Sequence, residues 1–138
     1  SPRSWDIANN LLKVGLDIDP AVGVGASSEF RSFCKIYRTL PKIEPILSGK
    51  AKPKFPKDLS AKYALTCALS VRAKTIDNYR NAFLYLADKA SMEWLNQCAF
   101  DAGSICKEKG TSKELMQAVL SDKHLFKVAE QLTILMAV

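Results

Sequence analysis

Apolar residues recur three and four positions apart along almost the whole chain, and this spacing admits helices and little else. Trp5, Ala8 and Leu12 open the pattern, with Ile7 and Leu11 beside them. Phe30, Phe33, Cys34 and Tyr37 continue it and end near Leu40-Pro41. No stretch alternates convincingly with period two, and no Asn-Gly or Asp-Gly pair marks a hairpin. The expected architecture is all-α: one helical bundle of about six to eight helices over residues 1–138.

Capping residues place the individual elements. Ser1-Pro2 suits a helix start, because proline lacks only a donor that would be unpaired there. Asp17 to Gly25 reads as a loop, and Ser27 or Ser28 caps the next helix. A short helix is expected at Ile43–Leu47, stopped by Gly49. Asp58 or Ser60 starts another, with Tyr63, Ala64, Cys67 and Val71 on one face. Thr75 or Asp77 starts the next, striped by Ile76, Tyr79, Phe83 and Leu86. Ser91 caps a helix lined by Leu95, Cys98, Ala99 and Ala102, which Gly110 closes. Thr111 to Glu114 has the spacing of a capping box, followed by Leu115, Met116 and Val119. Ser121 caps a last helix whose core face is Leu125, Val128, Leu132 and Leu135.

Several chemistries lack their residues. No apolar run approaches the roughly 18–20 residues of a membrane span, and no signal peptide opens the chain. Cys34, Cys67, Cys98 and Cys106 stand 33, 31 and 8 apart, and His124 is the only histidine, so no metal site is expected. The cysteines read as reduced, buried thiols of a cytoplasmic protein. Gly49-Lys50 has neither the leading glycine nor the hydroxyl of a phosphate loop. Gly23 to Ser28 lacks the third glycine of a dinucleotide fingerprint, and Asp17 with Asp19 is too few ligands for calcium. No catalytic residues are expected in the chain itself.

Charge is distributed unevenly. The formal net charge is +6, yet Arg31 to Lys74 holds 11 basic residues against Glu44 and Asp58. The centre of this block is Lys50, Lys52, Lys54 and Lys57, interleaved with two prolines and Phe55. It reads as a solvated lysine loop, as a polyanion contact or as a protein contact. A stand-alone helical binding module whose basic segment meets nucleic acid or an acidic protein is therefore one functional reading.

The other comes from a resemblance. Ser1-Pro2-Arg3-Ser4-Trp5 is similar to the S/T-P-R-x-W/L pattern opening the helical lid of MoxR-type AAA+ ATPases. Ala21 to Phe30 resembles the AVGxGxxxEF segment of the same region. Pro41, Ile46-Leu47 and Pro56-x-Asp58-x-Ser60-Ala61-x-Tyr63-Ala64 continue it, so it covers residues 1–75. The resemblance implies a lid-like part over residues 1–90 and a C-terminal helical extension over 91–138. It implies that Arg3 is the sensor-2 arginine, reaching ATP bound with Mg on an upstream αβ domain. The implied partners are that domain and neighbouring subunits of a hexameric ring. The chain opens on Ser rather than Met, which fits a piece of a longer protein, and it carries no Walker A or Walker B segment. It is expected to be inactive as an ATPase alone.

Overall fold

The computed structural model describes Arg31, Lys35, Ile36 and residues 38–136, with side chains to Ile134. The chain divides into two compact units, 1–39 and 40–138. In the first, Arg31, Lys35, Ile36, Arg38 and Thr39 are helical, and the Thr39 hydroxyl donates to the Ile36 carbonyl at 2.7 Å. The readings of residues 1–30, with Arg3, Asp17, Asp19 and the Gly23–Ser28 segment, lie outside the described residues, as do Cys34 and Tyr37.

The described part of the second unit is all-helical. Its order is α1 (Ile43–Leu47), α2 (Leu59–Arg72), α3 (Ile76–Lys89), α4 (Met92–Lys109), α5 (Ser112–Leu120), a 3-10 turn (Lys123–Leu125) and α6 (Phe126–Met136). α4 is central, with α2, α3, α5 and α6 all packed on it. Its sequence makes this possible. Cys98, Ala99, Ala102, Gly103 and Cys106 are all buried, and such small side chains let neighbouring axes approach from more than one side. The expected junction near residue 90 falls between α3 and α4, within this unit.

Large side chains from the surrounding helices fill the core. Phe83, Tyr85 and Leu86 come from α3, Leu65 and Leu69 from α2, Leu115 and Val119 from α5. Leu125 of the turn and Val128 and Leu132 of α6 close the far side. Thr66 and Ser70 are buried on α2, and their hydroxyls donate to the Lys62 and Cys67 carbonyls of the same helix at 2.8 and 3.1 Å. Local back-bonding of this kind lets a hydroxyl sit in a core without an unpaired donor.

Starts and stops follow the sequence at most junctions. Asp58 accepts from Ala61 N at 3.1 Å, and Thr75 accepts from Asn78 N at 3.1 Å, which caps α2 and α3. Gly110, at φ 72°, ends α4. Gly110 N donates to Lys107 O and Thr111 N to Cys106 O, the paired bonds of a Schellman ending.

Four local expectations are corrected. Tyr63 and Val71 share a face of α2, but that face is 57% and 73% exposed. The core takes Ala61, Ala64, Leu65, Ala68 and Leu69 instead, because α4 packs on the small-residue side. The capping box at Thr111 does not form. Its hydroxyl is used by the preceding helix, donating to Cys106 O at 3.4 Å. Ser91 is the N-cap of α4 without a side-chain bond. Ser121 ends α5 rather than starting α6, and Asp122 caps the 3-10 turn by accepting from His124 N at 2.9 Å.

Candidate functional site

The four lysines expected to form a basic patch lie on the irregular chain between α1 and α2. Gly49, at φ 78°, turns the chain out of α1. Lys50 N and Ala51 N then both donate to the Pro45 carbonyl. Beyond that turn, Pro53 and Pro56 hold the residues before them out of the helical region. In extended chain, successive side chains point to opposite sides. Lys52 and Lys54 are exposed, while Pro53 between them and Phe55 after them are half-buried; Lys50 and Ala51, in the turn before, are both exposed. Lys57 is exposed after a further bend.

Phe55 anchors this segment. Its ring lies 6.5 Å from Tyr85 of α3 and 6.2 Å from Trp94 of α4, tilted by 57° and 50°. Tilted pairs at such distances match the opposed charge of ring edge and ring face, and each adds about 0.5–1.5 kcal/mol beyond burial. Lys52 Nζ lies 3.8 Å from Asp88 Oδ2 on α3, an exposed pair that contributes little. Upstream, Asn78 and Asn81 of α3 both donate to the Leu47 carbonyl, at 3.0 and 2.8 Å, and fix the end of α1. The lysines are thus mounted on a chain fastened at both ends.

Two concave surfaces flank the anchor. One, of about 270 Å³, is lined by Phe55, Pro56, Lys57, Lys62, Lys89, Ala90, Ser91 and Trp94. The other, of about 410 Å³, is lined by Lys52, Leu84, Ala87, Asp88 and His124. The first contains three ammonium groups and no carboxylate. Lys89 and Trp94 were not singled out by the sequence, and Lys62 entered only as one of the 11 basic residues between Arg31 and Lys74. Lys62 and Lys89 stand on different helices, far from each other in the chain, and only the packing of α2 against α3 and α4 brings them to Phe55.

Burial raises several titratable groups of the core. Burial pushes the Tyr85 hydroxyl up to about 12. That hydroxyl is buried without a hydrogen-bond partner among the described residues. Cys98 and Cys106 are buried free thiols, and Cys67 is half-buried. Burial first, then the nearby negative charge of Asp101, raises both Cys98 and Cys67. A thiol held protonated is a poor nucleophile, so buried Cys98 is a packing residue. Among the described residues, no group of three or more His, Cys, Asp or Glu is placed to hold a metal, and no helix is long and apolar enough to cross a membrane.

What fold and site define together is a class: an all-α bundle bearing a basic, aromatic-anchored segment at one corner. No protein-family model, no curated protein and no solved structure matches the chain.

Proposed function

We propose that this chain is the C-terminal lid region of a MoxR-like AAA+ ATPase, a cytoplasmic class that remodels protein complexes in rings. One observation carries the reading: three stretches of the family pattern occur in the same order within residues 1–75. The third has a physical basis in the fold. Ile46, Leu47, Ala61 and Ala64 are buried, and Asp58 caps α2, so the shared residues set the packing of the α1–α2 corner. A pattern made of packing and capping residues is one that a common architecture would require.

In this reading the described residues are scaffold. Gly49-Lys50 closes α1 as a turn and forms no phosphate loop. The upstream αβ domain would hold ATP and Mg and supply the hydrolytic chemistry. Arg3 would reach the β- and γ-phosphates from the lid, because a guanidinium is always charged and its donor fork matches phosphate oxygens. Losing the γ-phosphate removes a contact made in only one state, which couples nucleotide to lid position.

The test is hydrolysis by the protein that includes the upstream domain. Arg3→Ala should lower kcat at least about tenfold, as loss of a charge-stabilising arginine does, while ring assembly persists. Arg3→Lys should restore little, since a point charge lacks the fork. The reading frame upstream of Ser1 should encode GxxxxGK[ST] followed by an acidic strand. A start codon immediately before Ser1, or an Arg3→Ala variant with undiminished hydrolysis, sinks the proposal.

A further inference from the structure

The surfaces of the bundle differ in what they offer a ligand. The groove beside Leu120 and Phe126 is apolar, and nothing around it indicates its occupant. The exposed Leu59, Tyr63 and Val71 of α2 form a similar uncommitted face. The cleft beside Lys52, Asp88 and His124 carries both signs of charge. Among the described residues, the Phe55–Trp94 cleft joins aromatic and apolar side chains to three cations, whereas the Leu120–Phe126 groove carries a single charge, Glu130.

We propose that this cleft is a docking site for an acidic peptide segment of a partner protein, in which a carboxylate side chain adjoins an apolar one. Charge complementarity is the first argument. Lys57, Lys62 and Lys89 surround Phe55, Pro56, Ala90 and Trp94, and no carboxylate lines the cleft. Asp88 lies 3.9 Å from the Lys89 ammonium, and Glu93 stands in the first turn of α4. Both carboxylates lie outside the lining.

Size is the second argument. At about 270 Å³ the cleft is below the ~300–1,000 Å³ that encloses a small molecule, and it is open to solvent. It suits an anchoring side chain whose backbone continues across the surface.

Ring geometry decides between a peptide and a nucleic acid. Single-stranded nucleic acid stacks bases on open aromatic faces. Here Trp94 is only 8% exposed, and Phe55 is tilted against both of its neighbours. The rings wall the cleft and present no open platform. All three cations are lysines, point charges that attract a carboxylate or a phosphate alike, so the rings and not the cations make this distinction.

The test is panning a random displayed-peptide library against the intact protein, followed by fluorescence titration of the selected peptides. Selected peptides should be enriched in Asp or Glu next to an aliphatic or aromatic residue. Their affinity should fall at least about tenfold in the Lys57→Gln, Lys62→Gln, Lys89→Gln triple variant. It should hold in a control variant with Lys113→Gln and Lys123→Gln, far from the cleft in sequence. Circular dichroism of the triple variant should match the parent, since only solvent-facing charges are removed. Three outcomes overturn the site: no acidic enrichment, binding indifferent to the triple substitution, or tighter binding of a fluorescein-labelled oligo-dT through the same lysines. None of these outcomes touches the Arg3 experiment, so the two proposals fail separately.

Discussion

Two glycines end helices with nearly the same backbone, and their surroundings separate them. Gly49 and Gly110 have φ of 78° and 72°, where any side chain is strained by about 1 kcal/mol. A Cβ at Gly110 would meet nothing within 4 Å, whereas at Gly49 it would lie 3.3 Å from the Asn81 amide. That amide donates to the Leu47 carbonyl and cannot shift without breaking the bond. Gly110→Ala should therefore cost about 1 kcal/mol, and Gly49→Ala should cost more, by roughly the value of one hydrogen bond, ~1 kcal/mol. Urea melts of the two variants test the order. At Tyr85 the folded hydroxyl is raised from 10.0 to about 12 by burial. The folded state thus favours the protonated phenol. Its stabilisation is complete below pH 10 and is lost as pH rises through about 12. Tyr85→Phe removes a buried hydroxyl that has no partner, so at neutral pH it should be neutral or stabilising. It should also flatten the fall in stability between pH 10 and 12, and an unchanged alkaline slope would contradict this assignment.

At the scale of elements, the linker between α1 and α2 behaves as a short structural strut. Lys52 and Lys54 face solvent where the chain turns Pro53 and Phe55 inward. Phe55 then holds it to α3 and α4 through two tilted ring contacts. Phe55→Ala should destabilise by about 1–3 kcal/mol and release the linker to proteolysis. Lys52→Gln, which removes only an exposed ion pair, should change stability by less than about 0.5 kcal/mol. Equal effects from both substitutions would mean that charge rather than the aromatic anchor holds the segment. The same scale explains the cleft. α3 ends with Lys89, α4 begins with Trp94 one short connection later, and the strut crosses that corner with Phe55, Pro56 and Lys57.

For the whole molecule, residues 40–138 group as one compact unit around α4. Its described helices bury their apolar faces against one another, and α4 ties early and late segments into one core. A chain beginning at Leu40 should therefore keep its helicity and unfold in a single cooperative transition. Thermal melts followed by circular dichroism and Trp94 fluorescence should coincide, while two separated transitions would show independent parts. The acidic-peptide cleft belongs to this unit entirely, so it should survive in the shortened chain. The Arg3 proposal belongs to residues 1–39 and would not.

Spacing by itself determined the helical class, the Ile43–Leu47 helix, a start at Asp58 or Ser60, of which the structure takes Asp58, and the stop at Gly110. These depend on chain neighbours: apolar periodicity, a side-chain acceptor three residues from a donor, and a glycine that tolerates positive φ. The lysine run was equally legible, because charge is a property of composition. Which face of α2 is buried was not, since Tyr63 and Val71 are as apolar as the residues that α4 covers. Nor was the fate of Thr111, whose hydroxyl had two helices to choose between. The cleft was the least legible feature of all. Phe55, Lys62, Lys89 and Trp94 have no common spacing, and only the tertiary packing of three helices converges them. Local interactions are fixed by order along the chain. A binding surface is fixed by distances across it, which the order alone does not contain.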